Sequence, residues 1–357
     1  MLLFKKSKLS TILFCLSFSF LMSCKKDEVT VTPPANDNPE TTLSKIAFGS
    51  CGHQLSYQPI LNSVKTYNPD IFIYAGDNVY ADTRDMGVFR LAYQNLANKQ
   101  EFKNLVEAYP IIATWDDHDY GENDAGAEFP FKNRAKDLFF EFWGEPAGSP
   151  RRNRDGVYTS YYFGDAAHRV QIIVLDNRYN RSTLNGSVLG YTPSSDPNKT
   201  MLGENQWNWL ANELLQPAKI RLIVTSTQMC CEHNGWEAWA NMPLQIEKMF
   251  QTIRDAQAEG VFFLSGDVHY AELSKRAPEN LYPMYDLTSS GITNIEPNGA
   301  PNQYRIGTTK QISVKHFGSV EINWAANPVA INFKIIDVAG VERLNYPISL
   351  SELSFEN

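Results

Sequence analysis

Four short apolar runs in this chain end in the same way. Lys45-Ile46-Ala47-Phe48-Gly49 gives way to Ser50-Cys51-Gly52-His53, and Asp70-Ile71-Phe72-Ile73-Tyr74-Ala75 to Gly76-Asp77-Asn78-Val79-Tyr80. Ile111-Ile112-Ala113-Thr114 leads into Trp115-Asp116-Asp117-His118-Asp119, and Val261-Phe262-Phe263-Leu264 into Ser265-Gly266-Asp267-Val268-His269. Runs of this length, apolar almost throughout, read as strands covered on both faces. One polar strand end is unremarkable. Repeated delivery of Cys, Asp, Tyr and His to strand ends constrains the fold more strongly, because charge brought to the edge of a core is costly unless something neutralises it. The pattern predicts a fold in which these termini converge, and a multivalent cation is the simplest neutraliser.

Between the runs lie segments of helical spacing, at 57–67, 89–109, 132–143, 203–215 and 243–258, and further strand candidates at 158–163, 169–175, 221–225, 316–324, 329–337 and 342–346. Residues 179–197 read as a polar loop. Alternation of strand, polar cluster and helix, with extra β-rich segments, predicts an α/β chain with two mixed sheets packed together and helices outside. In open α/β sheets ligands bind beyond the carboxyl ends of the strands.

The N-terminus reads differently. Lys5, Lys6 and Lys8 precede a short apolar stretch at 12–20, followed by Leu21-Met22-Ser23-Cys24. This is the layout of an export signal, with a cysteine where a bacterial lipoprotein box requires it. Residues 1–23 are therefore expected to be a lipoprotein signal peptide, 24–42 a flexible tether lipidated at Cys24, and 43–357 the functional domain. The expected product is exported, anchored to the cell envelope through lipid on Cys24, and monomeric. Cleavage removes three lysines and no acid, taking the formal charge from −8 to −11. That balance argues against a nucleic-acid partner, whose phosphates need a basic surface. It leaves room for a small phosphorylated substrate whose charge is met by metal. Cys51 and the neighbouring Cys230 and Cys231 offer no disulfide framework.

Each chemistry-bearing position has a plainer reading beside the functional one. Asp77 can bridge two metals or cap a turn. Tyr80 can bind as a phenolate, which suits trivalent iron. Asp267 and His269 share a face if the chain stays extended there; a lone histidine is more often structural. Cys51 can be a thiolate ligand, a small buried hydrophobe, or a nucleophile with His53 or His118 as base. The stretch from Trp115 to Asp124 lacks EF-hand spacing. Arg178 can clamp a phosphate or pair with an acid. Cys230-Cys231-Glu232-His233 lacks the second half of a metal site.

Taken together, Phe48-Gly49-Ser50-Cys51, Gly76-Asp77-Asn78-Val79-Tyr80-Ala81-Asp82, Trp115-Asp116-Asp117-His118-Asp119, Gly266-Asp267-Val268-His269 and Leu287-Thr288-Ser289-Ser290-Gly291 resemble the motifs of the alkaline phosphatase D (PhoD-like) family, within the calcineurin-like metallophosphoesterases. The resemblance implies a four-layer α-β-β-α sandwich of two mixed β-sheets flanked by helices. It implies iron (Fe3+) together with calcium or another divalent metal. Cys51, Asp77, Tyr80 and His269 would hold the first metal, and Asp77, Asp117 and Asp267 the second. His118 would contact phosphate and protonate the leaving group, with Asn123 and Arg178 as further phosphate contacts. The Gly-Asn-His motif of related phosphoesterases favours Asp117 over Asp116 as the ligand. Gln228 stands where those relatives usually carry another histidine. The separate N-terminal β-domain of longer members is not expected, since only the tether precedes Leu43. The implied activity is metal-dependent hydrolysis of phosphate esters, for extracytoplasmic phosphate scavenging. Action on diesters or phospholipids, a non-catalytic metal-binding lipoprotein, and a cysteine hydrolase built on Cys51 stand as alternatives.

Overall fold

The computed structural model describes residues 30–355. The expected signal peptide and Cys24 lie outside the described residues. The chain runs through β1 (Asp37–Asn38), β2 (Lys45–Gly49), α1 (Ile60–Tyr67), β3 (Ile71–Ala75), α2 (Met86–Ala97), α3 (Gln100–Ala108), β4 (Ile111–Thr114), the one-turn α4 (Asp117–Tyr120) and α5 (Lys132–Phe142). It continues through β5 (Thr159–Phe163), β6 (Val170–Val174), the hairpin β7 (Asn185–Ser187) and β8 (Gly190–Thr192), α6 (Glu204–Leu214), β9 (Ile220–Val224), α7 (Pro243–Asp255) and β10 (Val261–Ser265). Then come β11 (Ala271–Arg276), β12 (Met284–Ser289), β13 (Arg305–Ile306), β14 (His316–Asn323), β15 (Ala330–Asp337) and β16 (Glu342–Ser349).

Two large mixed sheets result. One has six strands in the order β16-β15-β14-β2-β3-β4, the other eight in the order β1-β5-β6-β9-β10-β12-β11-β13. Strands β2, β3 and β4 are mutually parallel, as are β6, β9, β10 and β12. Their carboxyl ends can therefore meet at one edge. Alternation along each strand builds the layers. Ile46, Phe48, Ile71 and Ile73 face Ile172, Leu222 and Phe262 of the other sheet. Ala47, Phe72 and Tyr74 turn the other way, onto Phe89, Phe102, Leu105 and Phe139 of the flanking helices. Helices α6 and α7 cover the eight-stranded sheet with Trp207, Leu210, Ile246 and Met249. The expected four-layer sandwich is what forms. Among the described residues no helix is long and apolar enough to cross a membrane.

Local signals explain most boundaries. Helix α1 buries Ile60, Leu61 and Val64 and stops at Asn68, in the left-handed region at φ 57° and followed by Pro69. Helix α2 starts where the Asp85 carboxylate accepts from the amides of Gly87 and Val88. Three features depart from expectation. The stretch expected as tether is docked from its early thirties, with Val31 buried and Asp37 and Asn38 paired in parallel with Tyr162 and Phe163. The expected loop at 179–197 carries the β7–β8 hairpin. Strand β11 pairs antiparallel with β12 although Ala271-Glu272-Leu273-Ser274-Lys275-Arg276 reads as largely polar.

Candidate metal centre

The ends of β2, β3, β4 and β10 converge, and the backbone is bent hard to achieve it. Cys51, Asp77, Asp267 and His269 all lie at positive φ (60°, 50°, 74° and 59°). Non-glycine residues there cost on the order of 1 kcal/mol or more each, and such strain concentrates at functional sites. Asp267 and His269 thus reach a common point through left-handed turns, not through the alternation of an extended strand. Gly76 is required by close approach. A Cβ on it would stand 2.7 Å from the Asp116 Cβ. The loops after β2 and β3 stay zipped together, with Cys51 N–H to Gly76 O at 3.4 Å and Gly52 N–H to Asp77 O at 3.0 Å.

The side chains gather tightly. Ligand-type atoms of Cys51, Asp77 and His269 lie within 4.8 Å of one another, as do those of Asp77, Asp116, Asp117 and Asp267, and those of Asp77, Asp117 and His118. Asp77 belongs to all three groups, the position a bridging carboxylate would hold. Its Oδ2 is 3.3 Å from the Cys51 thiol and 3.3 Å from the Tyr80 hydroxyl, which is 3.1 Å from His269 Nε2. Buried Asp77 Oδ1 and Asp117 Oδ1 have no hydrogen-bond partner. Burial pushes Cys51 up to about 12 and Asp77, Asp267 and Tyr80 well above their ordinary values. Carboxylates, a thiol, a phenol and an imidazole, with orphaned oxygens and no ready way to ionise together, are a donor set that fits metal ions.

A second layer lies against this one. Arg178, fully buried, sends Nε to Asp116 Oδ1 at 2.5 Å and Nη1 to Glu237 Oε2 at 2.6 Å. Arg181 Nε stands 3.1 Å from Glu237 Oε1. Arg178 was expected at the phosphate; it is instead consumed by Asp116 and Glu237, because a guanidinium with no exposure is stable only where carboxylates surround it. Asp116 Oδ1 also accepts from the Ser226 hydroxyl at 2.7 Å, whereas Asp117 stands 3.6 Å from Arg178. Asp119 serves as a buckle. Its carboxylate accepts from the amides of Asp77, Asn78 and Asp116 and from the Asn78 side chain.

His118 stands at the mouth, with Nδ1 held 2.7 Å from Asp82 Oδ1 and its ring 4.2 Å from that of Tyr80. Burial opposes its charge, but Asp117, Asp77 and Asp82 outweigh that and raise it to about 10. A cavity of about 600 Å³ opens there, lined by His118, Asn123, Asp124, Trp236, Glu237 and His269 among others. Gln228 is turned into the sheet, donating to Glu272 at 2.8 Å and Thr288 at 3.0 Å. Cys230 and Cys231 are buried in the hydrophobic core. The Cys51 thiol contacts Asp77, Ser50, Ser290 and the Asp267 carbonyl. None of these hydrogen bonds is to an imidazole, the base a cysteine hydrolase uses. Sequence reasoning gave no role to Asp82, Glu237 or Gln54; only the spacing of Asp82 within the motif after β3 marked any of them.

Two packed mixed sheets with acidic strand ends meeting at one edge define a metallophosphatase-like fold. The chain belongs to the PhoD-like phosphatase family, whose model matches residues 46–316. Alkaline phosphatase D of Bacillus subtilis (strain 168) is 23% identical over 311 residues, covering 75% of this chain and 51% of that protein. The chain thus spans about half the length of that relative. A structure of PhoD superposes with a TM-score of 0.65 at 19% identity, over 89% of this chain and 70% of the other. A dimetal phosphatase from Danio rerio gives 0.53 at 12% identity, over 87% and 99%. At these identities the structural likeness concerns the fold.

Proposed function

We propose that the protein hydrolyses phosphate esters with metal ions held by Cys51, Asp77, Tyr80, Asp117, Asp267 and His269. The observation that carries this reading is the convergence of those side chains, with His118 facing the same cavity. Family membership and the fold shared with dimetal phosphatases support it. The phenol and thiol of Tyr80 and Cys51 suit iron (Fe3+); the carboxylates of Asp117 and Asp267 suit calcium or another divalent ion. When bound, such ions supply an activated water and offset charge on the phosphoryl oxygens.

The rest falls to the chain. Asp77 keeps the two halves of the donor set in register. Asp82 accepts a hydrogen bond from Nδ1–H of His118, which leaves Nε2–H to donate to the leaving-group oxygen. Asn123, in the cavity wall, would donate to a phosphoryl oxygen. Trp236 and Val188 give that wall an apolar side, which favours esters with an organic leaving group and keeps phosphodiesters or phospholipids as the second reading. Phosphate scavenging outside the cytoplasm, with the protein monomeric and anchored through Cys24, rests on the N-terminal sequence; labelled fatty acid that fails to enter the protein would remove the anchor. The central test is metal analysis of the purified protein with chromogenic mono- and diesters before and after chelation. Turnover that survives complete metal removal would overturn the reading.

A further inference from the structure

We infer that Gln54, with His53 beside it, is the positioning device for Tyr80 and governs how firmly the first metal is held. The inference rests on the reading of Tyr80 as a ligand. Tyr80 sits between β3 and α2 on a segment without regular structure. Its own peptide groups are both taken by one side chain. Tyr80 N–H donates to Gln54 Oε1 at 2.8 Å, and Gln54 Nε2 donates to Tyr80 O at 2.9 Å. A carboxamide carries donor and acceptor together, so it can pair both peptide groups of one residue as a neighbouring strand would. Together with the Cys51–Gly76 and Gly52–Asp77 bonds, it extends the pairing of β2 and β3 beyond the end of the sheet.

His53 holds the other end of Tyr80. Its ring stacks on the tyrosine ring at 5.2 Å and 16°. The His53 amide donates to Thr293 Oγ1 at 2.8 Å, and its Nδ1 accepts from Leu55 N–H at 3.2 Å. Gln58 binds the carbonyls of Gly52 and His53 at 3.1 and 3.2 Å, and its own amide donates to Glu101 on α3 at 3.0 Å. The clamp is thus tied to a helix of the scaffold, and its far end is a phenol in contact with Asp77 and His269. Groups that orient a metal ligand commonly change metal affinity 10- to 100-fold when removed.

The test follows release of the metal that the full-length protein holds on purification, driven by EDTA and read by elemental analysis, alongside melting of the metal-free form. Gln54→Ala should release metal roughly tenfold faster than wild type. Tyr80→Phe should do so at least as fast, and Gln54→Ala should add nothing in the Tyr80→Phe background. Gln54→Glu keeps an acceptor for Tyr80 N–H but loses the amide donor, and should fall between; it carries the comparison if Gln54→Ala does not fold. Release unchanged by Gln54→Ala, or accelerated equally in both backgrounds, overturns the clamp while leaving Tyr80 a ligand. Release unchanged by Tyr80→Phe overturns the ligand reading, and the clamp with it.

Discussion

The carboxylate wall of the site has two flanks that differ in what opposes their buried charge. On one, Asp116 and Glu237 enclose Arg178, with Arg181 behind; burial still raises Asp116 to about 7, but Arg178 opposes it and the negative charge has protein cations in contact. On the other, Asp77 is buried and Asp267 partly so, and desolvation drives both well above the ordinary carboxylate range. Asp117 stands between them; burial opposes its charge, but Arg178 and His118 hold it down to about 2. The difference teaches where a cation from outside belongs. A flank with its own arginines is finished when the chain folds. The flank of Asp77, whose buried Oδ1 has no partner and which no arginine contacts, is not, and that is where metal should bind.

The largest effect should come from breaking the finished flank. Arg178→Met leaves Asp116 buried with only the Ser226 hydroxyl and Glu237 with only Arg181, and breaking a buried ion pair in this way costs about 3–5 kcal/mol. Denaturant unfolding should show that loss even with metal removed; an unaltered midpoint would mean that the acids are neutralised some other way. On the open flank, Asp77→Asn should reverse the sign. Metal stoichiometry should fall and turnover with it, by more than the 10- to 100-fold typical of groups that only orient a ligand. The metal-free protein should become more stable, since a repelled buried carboxyl is gone. A variant retaining full metal content removes Asp77 from the bridging position. His118→Ala, at the mouth, should lower turnover by about 100-fold with metal content unchanged.

That asymmetry was only half legible in the sequence. The open flank could be read because each of its residues follows an apolar run, and strand ends in such a sheet have one edge to go to. The finished flank could not. Arg178 also follows a strand, so sequence placed it near the phosphate. Its direction is set by Asp176, whose Oδ1 accepts from the amides of Arg178 and Tyr179 at 2.8 and 2.9 Å and turns the chain. Glu237 lies 59 residues further on, in a segment with no periodic signal. Asp82 and His118 are 36 residues apart. The early docking of the chain was hidden for a related reason. Asp37 and Asn38 join β5 through parallel peptide pairing, helped by an Asp37–Arg169 ion pair at 2.7 Å between residues far apart in sequence, and composition reveals neither. Nor could spacing show that Asp267 and His269 adopt left-handed conformations, held in part by bonds from His269 N–H to Ser290 Oγ at 2.8 Å and from Glu296 N–H to His269 O at 2.8 Å.

His316 extends the comparison to a buried base whose ring hydrogen-bonds peptide groups and no carboxylate. It is fully enclosed next to Gly291, where its Nδ1 donates to Val314 O at 2.6 Å and its Nε2 accepts from Ser290 N–H at 3.2 Å. That pair of bonds requires the neutral ring. Burial lowers its pKa from 6.5 to about 4, the Val314 carbonyl only partly opposing the shift. Because the folded value is the depressed one, the unfolded chain binds more protons between those two values. The contribution of the neutral ring to stability is therefore present above pH 6.5 and lost as pH falls toward 4. Between pH 7 and 5 the wild type should lose roughly 2 kcal/mol more than His316→Gln, whose amide does not titrate. Denaturation midpoints of the two metal-free proteins across that range measure it directly. Parallel curves would mean that His316 is as easily protonated folded as unfolded. Burial alone would then not decide which charges this interior refuses, and the contrast between the two flanks would need another cause.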